Sequence, residues 1–454
     1  MMASKQAIMP KAGYISKYLK TYGTPEANQV AESFPRDKRF THSLALPLCG
    51  ELLNMEELFS HIKRAQGGPE TIIIAVVNHG TDGNPSRKEN NLKTIQWLKK
   101  RVSATNYLSQ NPPIWYGEGL GVNLLVVERV QPPYEFTLKQ GVGLARKIGC
   151  DCAAALIELG IVKDRWIRMT DGDARIPYDY FQQTSEKANT LIYRFRHIPS
   201  NDSSPEAYEA LMAYECWLRY YRLAMVYCHS PNQYHAIGSL IAVRAEAYAE
   251  VRGFSKKRAG EDFYLLSKLR KTGPLYHNYG DPIRLKCRLS DRVPFGTGQG
   301  TIKILGLKEM SKEYTVYHPA IFDILSRVFQ AISTSTTRSD FEDKLSYFDT
   351  SKRDSIREVL DKLELPHQFH EAISRSRTIT GARREFFKAF DSFRTLKLVH
   401  ALRDEAFPNL PLIEALNKAP FLHHHSQDLS SWLDYLIDQD EREKNQPQIS
   451  EITQ

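Results

Sequence analysis

Between positions 40 and 300, short apolar runs alternate with longer stretches in which apolar residues recur every third or fourth position. Ser43-Leu-Ala-Leu-Pro-Leu48 reads as a strand running into Cys49-Gly-Glu51. Leu52, Met55, Leu58, Phe59 and Ile62 follow at helical spacing until Gly67, Gly68 and Pro69 stop them. Thr71-Ile-Ile-Ile-Ala-Val-Val77 is a β-branched run of the kind buried on both faces of a sheet. It ends in the turn chemistry of Asn78-His-Gly-Thr-Asp-Gly83. The pattern then predicts a helix over about 88–103, a third strand at Asn123–Glu128, a helix over 138–159 and a fourth strand around Trp166. Strand and helix in alternation predict a layered α/β domain with a largely parallel sheet. In such sheets ligands bind outside the carboxyl ends of the strands. Pro47–Glu51, Asn78–Asp82 and Asp171–Asp173 all fall at those ends.

Further along, 206–228 reads as a long aromatic helix with Leu211, Tyr214, Leu218, Tyr221, Met225 and Cys228 on one face, an apolar stripe of core type. Trp217, Tyr220, Arg219 and Arg222 on its other faces leave a membrane or acceptor role open. A strand at Gly238–Arg244, a helix at Ala245–Val251, a turn at Gly253-Phe254 and a helix opened by Glu261-Asp262 follow. From about 317 strand-like runs vanish and amphipathic helices take over, at 321–332, 356–363, 384–403 and 432–438. The expected organisation is an N-terminal extension over 1–39, an α/β domain over 40–316, a helical domain over 317–440 and a polar tail over 441–454.

Composition narrows the picture modestly. The 454 residues carry 61 basic and 53 acidic side chains, a net charge of +8 that is dispersed along the chain. That suits anionic small molecules or an acidic membrane surface and points away from nucleic acid. The six cysteines contain no Cys-x-x-Cys pair, which predicts reduced thiols in a reducing compartment. No apolar run reaches the ~18 residues of a membrane span, and Met-Met-Ala-Ser-Lys-Gln lacks a signal-peptide core. The expected location is cytoplasmic, with peripheral membrane contact left open.

The chemistry concentrates at Asp171-Gly-Asp173. Gly172 allows a tight turn, and two carboxylates on one side of it suit Mg²⁺ or Mn²⁺, which bind through one or two carboxylates plus phosphate oxygens. Glu261-Asp262 supplies a second carboxylate pair downstream, with Asp262 a candidate general base and Glu261 its neighbour. Arg288 and Arg292, in the turn-rich stretch to Gln299, are candidates for clamping phosphate bidentately. His277 is a candidate third metal ligand. Gly117-Glu-Gly-Leu-Gly121 precedes a strand and so is not a dinucleotide fingerprint.

The order of these motifs resembles the GT-A fold, family-2-like glycosyltransferases. Pro47-Leu-Cys-Gly-Glu51 stands where that family opens with Pro-x-Tyr-Asn-Glu, and Asn78-His-Gly-Thr-Asp82 where its second strand ends in Asp-Asp-Gly-Ser-x-Asp. Gly143-Leu-Ala-Arg146 stands for its Gly-Ala-Arg-Asn helix, Asp171-Gly-Asp173 for its metal motif and Glu261-Asp262 for its Glu-Asp motif. The resemblance covers about 40–300 and departs at Cys49-Gly50 and Asn78. It implies a GT-A-type, Rossmann-like sheet and a nucleotide-sugar donor held by Pro47, Glu51, Asn78, Asp82, Arg146, Asp171, Arg288 and Arg292. It also implies Mn²⁺ or Mg²⁺ on Asp171 and Asp173, with inverting transfer to the hydroxyl of an unidentified glycan, lipid or small-molecule acceptor. Two other readings compete: a nucleotidyltransferase on a similar fold, which the absence of a Gly-rich phosphate loop after the first strand disfavours, and a non-catalytic scaffold, which the intact carboxylates disfavour.

Overall fold

The two central apolar runs become strands β1 (His42–Leu48) and β2 (Thr71–Asn78), buried at every position. The computed structural model describes residues 13–200, 203–287, 289, 296–346 and 351–442. The strands continue with β3 (Asn106–Gln110), β4 (Pro113–Gly119), β5 (Val122–Arg129), β6 (Trp166–Met169), β7 (Ala174–Arg175), β8 (Thr190–Ile192), β9 (Phe195–Ile198), β10 (Ile241–Arg244), β11 (Leu275–His277) and β12 (Ile283–Lys286). Among the described residues they form a nine-stranded sheet, ordered β11-β8-β10-β6-β1-β2-β5-β4-β3, and a three-stranded sheet, ordered β7-β12-β9. The centre, β6-β1-β2-β5, is parallel. Antiparallel β10 and β4 flank it. Leu48 lies opposite Val77 and Ala45 opposite Met169, so β1, β2 and β6 deliver their exits to one rim. The apolar pattern does not predict β3, a largely exposed edge strand of mostly polar residues.

The helices of this region are α1 (Tyr14–Tyr22), α2 (Pro25–Ser33), α3 (Met55–Arg64), α4 (Pro85–Lys99) and α5 (Val142–Glu158), and, after α6 (Pro205–Tyr227), α7 (Ala245–Glu250) and α8 (Glu261–Thr272). α4 starts where Pro85 fills the first helical position and the Asn84 side chain accepts from the Ser86 N–H. α5 is buried from Gly143 to Ile157 because the sheet lies on one side and α1 and α2 pack on it as well. Gly149 lets it approach closely: a Cβ there would stand 3.1 Å from that of Ala45. Within the expected N-terminal extension, α1 and α2 are fastened through buried Asp151, which accepts from the Tyr18 hydroxyl at 2.6 Å and the Thr24 N–H at 2.9 Å. The predicted strand over 238–244 opens as a short 3₁₀ turn, Gly238–Leu240, before β10.

The chain folds as two compact units, Met1–Asn201 with Ala236–Gly296 and Asp202–His235 with Thr297–Gln454. The second is predominantly helical, and α6 belongs to it. Its core gathers Tyr220 and Met225 of α6 with Leu325, Phe329, Phe369, Leu398 and Trp432 of later helices. Arg219 and Arg222 are buried in it, paired with Asp440, and Arg219 also pairs with Glu215. The apolar pattern over 384–403 is two helices, Ile379–Ala389 and Ser392–Glu405, because Asp391 breaks it and caps the second by accepting from the N–H groups of Phe393 and Arg394. The class is mixed α/β, a central parallel block flanked by helices, with a C-terminal helical region. Among the described residues no helix is long and apolar enough to cross a membrane.

Candidate active site

The rim is assembled from strand exits, each held by a local device. After β1 the chain turns through Gly50, whose φ of +74° is left-handed and favours glycine. Its N–H donates to Asn91 Oδ1 at 2.7 Å and the Leu52 N–H to Asn90 Oδ1 at 3.2 Å, so α4 holds this turn. Glu51 is 3% exposed and accepts from the Asn54 side-chain amide at 2.9 Å. It lies directly against the Asp-Gly-Asp turn: a Cβ on Gly172 would stand 2.7–2.8 Å from Glu51 Cγ, Cδ and Oε2. Two segments far apart in the chain thus meet side by side. Pro47 is buried within β1 opposite Val76. Asn78 is buried at the end of β2, where its amide nitrogen donates to the Leu48 and Val76 carbonyls and so ties the strand ends together. Asp82, one turn on, pairs with Arg258 at 3.0 Å.

The centre of the site is Arg146. One helical turn into α5, its Nη2 donates to both Asp171 oxygens, at 2.7 and 2.9 Å, and its Nη1 to Glu261 Oε1. Two glycines make room for this. A Cβ on Gly143 would stand 2.5 Å from the Lys257 carbonyl oxygen and 3.0 Å from the Glu261 Cβ, so the loop before α8 closes onto α5. A Cβ on Gly238 would overlap the Arg146 guanidinium itself. Burial pulls the Arg146 pKa down, but the Asp171 and Glu261 carboxylates more than offset it, and the net shift is upward. Next to Glu261, Asp262 accepts from the Phe263 N–H at 2.7 Å. Its pKa is pushed up to about 7, by burial first and the Glu261 carboxylate second, with Arg146 opposing.

Asp173 continues into β7, and its carbonyl accepts from the Lys286 N–H at 3.3 Å. Lys286 and Arg175 both pair with Glu57 of α3. The end of β12 therefore lies beside the Asp-Gly-Asp turn; Arg288 and Arg292 lie outside the described residues. His277 ends β11, opposite Ile192 at the edge of the large sheet. Among the described residues no group of three or more His, Cys, Asp or Glu side chains is placed to hold a metal, so Asp171, Asp173 and His277 do not form such a set. Asp171 and Asp173 nevertheless offer hard carboxylate oxygens of the type Mn²⁺ and Mg²⁺ take when phosphate and water complete the shell. The Arg146 contacts leave Asp171 with unused lone pairs.

The structure brings together Glu51, Asp171, Arg146 and Glu261 with Asp262. Sequence reasoning missed Gly238, Asn91 and Arg258. The Lys256-Lys257-Arg258 run shortly before Glu261 was the available signal for the last of these. Gly238 had none, because its role exists only where Arg146 arrives.

No family model matches the chain, and no curated protein does. Among solved structures, S. aureus TarS 1–349 is similar at a TM-score of 0.34 and 11% identity, over 80% of this chain and 92% of that one. The same protein in complex with UDP gives the same values. The mannosyltransferase PcManGT from Pyrobaculum calidifontis, in complex with GDP-Man and Mn²⁺, is similar at a TM-score of 0.32 and 15% identity, over 95% of this chain and 96% of that one.

Proposed function

We propose that the chain is a metal-dependent glycosyltransferase that moves a sugar from a nucleotide-diphosphate donor to an acceptor hydroxyl with inversion. The observation that carries this reading is the buried bridge from Asp171, through Arg146, to Glu261 beside Asp262. It joins the Asp-Gly-Asp turn to the candidate base through one guanidinium. Asp262 removes the acceptor hydroxyl proton, the acceptor oxygen bonds to the anomeric carbon, and the bond to the diphosphate breaks with its electron pair leaving on the diphosphate. A pKa near neutrality suits that base. Glu261, fixed by Arg146, orients it. Asp171 and Asp173 would hold Mn²⁺ or Mg²⁺, which would supply positive charge to the departing diphosphate. Glu51 and Asp82 are the proposed polar contacts of the nucleotide, with Pro47 and Asn78 shaping the strand exits. Arg288 and Arg292 are assigned to the diphosphate.

The test is turnover of UDP- and GDP-hexoses with and without Mn²⁺, by the wild type and by Asp173→Ala. Mn²⁺-dependent release of nucleoside diphosphate, lost in the folded variant, is expected. A wild-type chain that neither binds nor turns over any of these donors overturns the reading.

A further inference from the structure

We propose that Arg146 is a positioning residue that joins the diphosphate-side carboxylate Asp171 and the base-side Glu261 into one electrostatic unit, and that it does not itself touch the donor. The inference rests on the transferase reading and departs from the donor-contact role that the motif resemblance implies for this arginine. Its geometry is specific. Both terminal nitrogens of one guanidinium are turned to protein carboxylates, Nη1 to Glu261 and Nη2 to the two oxygens of Asp171. The arginine side chain is only 6% exposed and that of Glu261 2%, whereas Asp171 keeps 30% exposure toward solvent. Gly238 closes the space against the guanidinium, so nothing larger than a hydrogen fits there. A ligand therefore meets Asp171 and finds Arg146 behind it.

The consequence follows from sharing one cation. Three carboxylates, Asp171, Glu261 and Asp262, surround a single guanidinium, and only the first two bond to it. A cation and diphosphate arriving at Asp171 change how strongly that carboxylate draws on Arg146, and Glu261 on α8 feels the change. Lysine cannot reproduce this, because a compact ammonium lacks the planar fork that serves two carboxylates in fixed directions.

The experiment is a double-mutant cycle on Mn²⁺-dependent binding of UDP and of GDP, measured by calorimetry, with Glu261→Gln introduced into the wild type and into Arg146→Lys. Glu261 lies on the base side, yet Glu261→Gln is expected to change nucleotide affinity about five- to tenfold in the wild type, the size usual for coupled neighbours. In the Arg146→Lys background the same change is expected to stay within about twofold. Gly238→Ala crowds the guanidinium without altering any charge, and it is expected to weaken the coupling in the same direction. It reads the same quantity if Arg146→Lys does not fold. Effects that simply multiply, with Glu261→Gln acting equally in every background, overturn the inference and return Arg146 to direct donor contact. A wild type that binds neither nucleotide instead overturns the transferase reading on which it rests.

Discussion

Asp262 and Glu261 are adjacent in sequence and differ in what surrounds them. Glu261 has a guanidinium as partner, whereas Asp262 has a backbone N–H and a neighbouring carboxylate. A raised folded-state pKa means that the native protein binds this proton more tightly than the unfolded chain does. The associated stability is present in acid and is lost as pH rises from about 4 through 7. Under the proposed mechanism activity runs the opposite way, because Asp262 must be ionised to accept a proton: turnover is expected to rise with a midpoint near pH 7. Asp262→Asn should abolish that limb and lower turnover by about 10²–10⁴ while nucleotide affinity holds. A pH–rate profile of both proteins decides it. Retention of the donor's anomeric configuration in the product would remove the need for this base altogether. Gly172 gives a second prediction at this scale. Any Cβ there must displace Glu51, so Gly172→Ala should cost about 1–3 kcal/mol in denaturant unfolding and weaken Mn²⁺-dependent nucleotide binding as well.

At the scale of elements, α5 serves both the core and the site. Its Gly149 face lies on β1, its Arg146 reaches the site, and its Asp151 collects Tyr18, Thr24, Tyr248 and Lys147. Lys147 is itself buried, so Asp151→Ala strands a buried cation and three other donors. A loss of about 3–5 kcal/mol in chemical denaturation is expected. In the helical unit, α6 and the last helix, Leu429–Arg442, are tied by Asp440. Burial would raise the pKa of Asp440, but Arg222, His235 and Arg219 outweigh it and hold the carboxyl well below the usual carboxylate range. A depressed pKa gives stability that is present above about pH 4 and lost as the pH falls toward the folded-state value. Asp440→Asn should therefore narrow the stability difference between pH 7 and pH 3, measured by urea unfolding at each. α6 also shows why an aromatic stripe was ambiguous: Arg219 and Arg222, which left a surface role open in the sequence, are spent on internal ion pairs.

At the scale of the whole molecule, metal and nucleotide should act together on stability. A ligand at 100 times its dissociation constant adds about 2.7 kcal/mol, so UDP or GDP with Mn²⁺ should raise the unfolding midpoint and chelation with EDTA should reverse it. A nucleotide effect that EDTA leaves unchanged would remove the metal from the proposal. The periodicity of the chain determined the central architecture by itself. Thr71–Val77 is short, apolar and rich in β-branched residues, which favours a buried strand, and Asp171-Gly-Asp173 after Trp166–Met169 supplies the turn chemistry of a strand exit, because apolar period and turn chemistry are local properties. The same locality explains what stayed hidden. The exposed β3, the break at Asp391 and the membership of α6 in the helical unit each depend on a neighbour far away or on a single capping residue. Most of the candidate site residues were legible as motifs, but their connection was not. That Arg146 faces Asp171 and Glu261, and that Gly238 is what allows it, is decided only when residues 146, 171, 238 and 261 converge, since electrostatic and steric contact act through space and leave no period in the sequence.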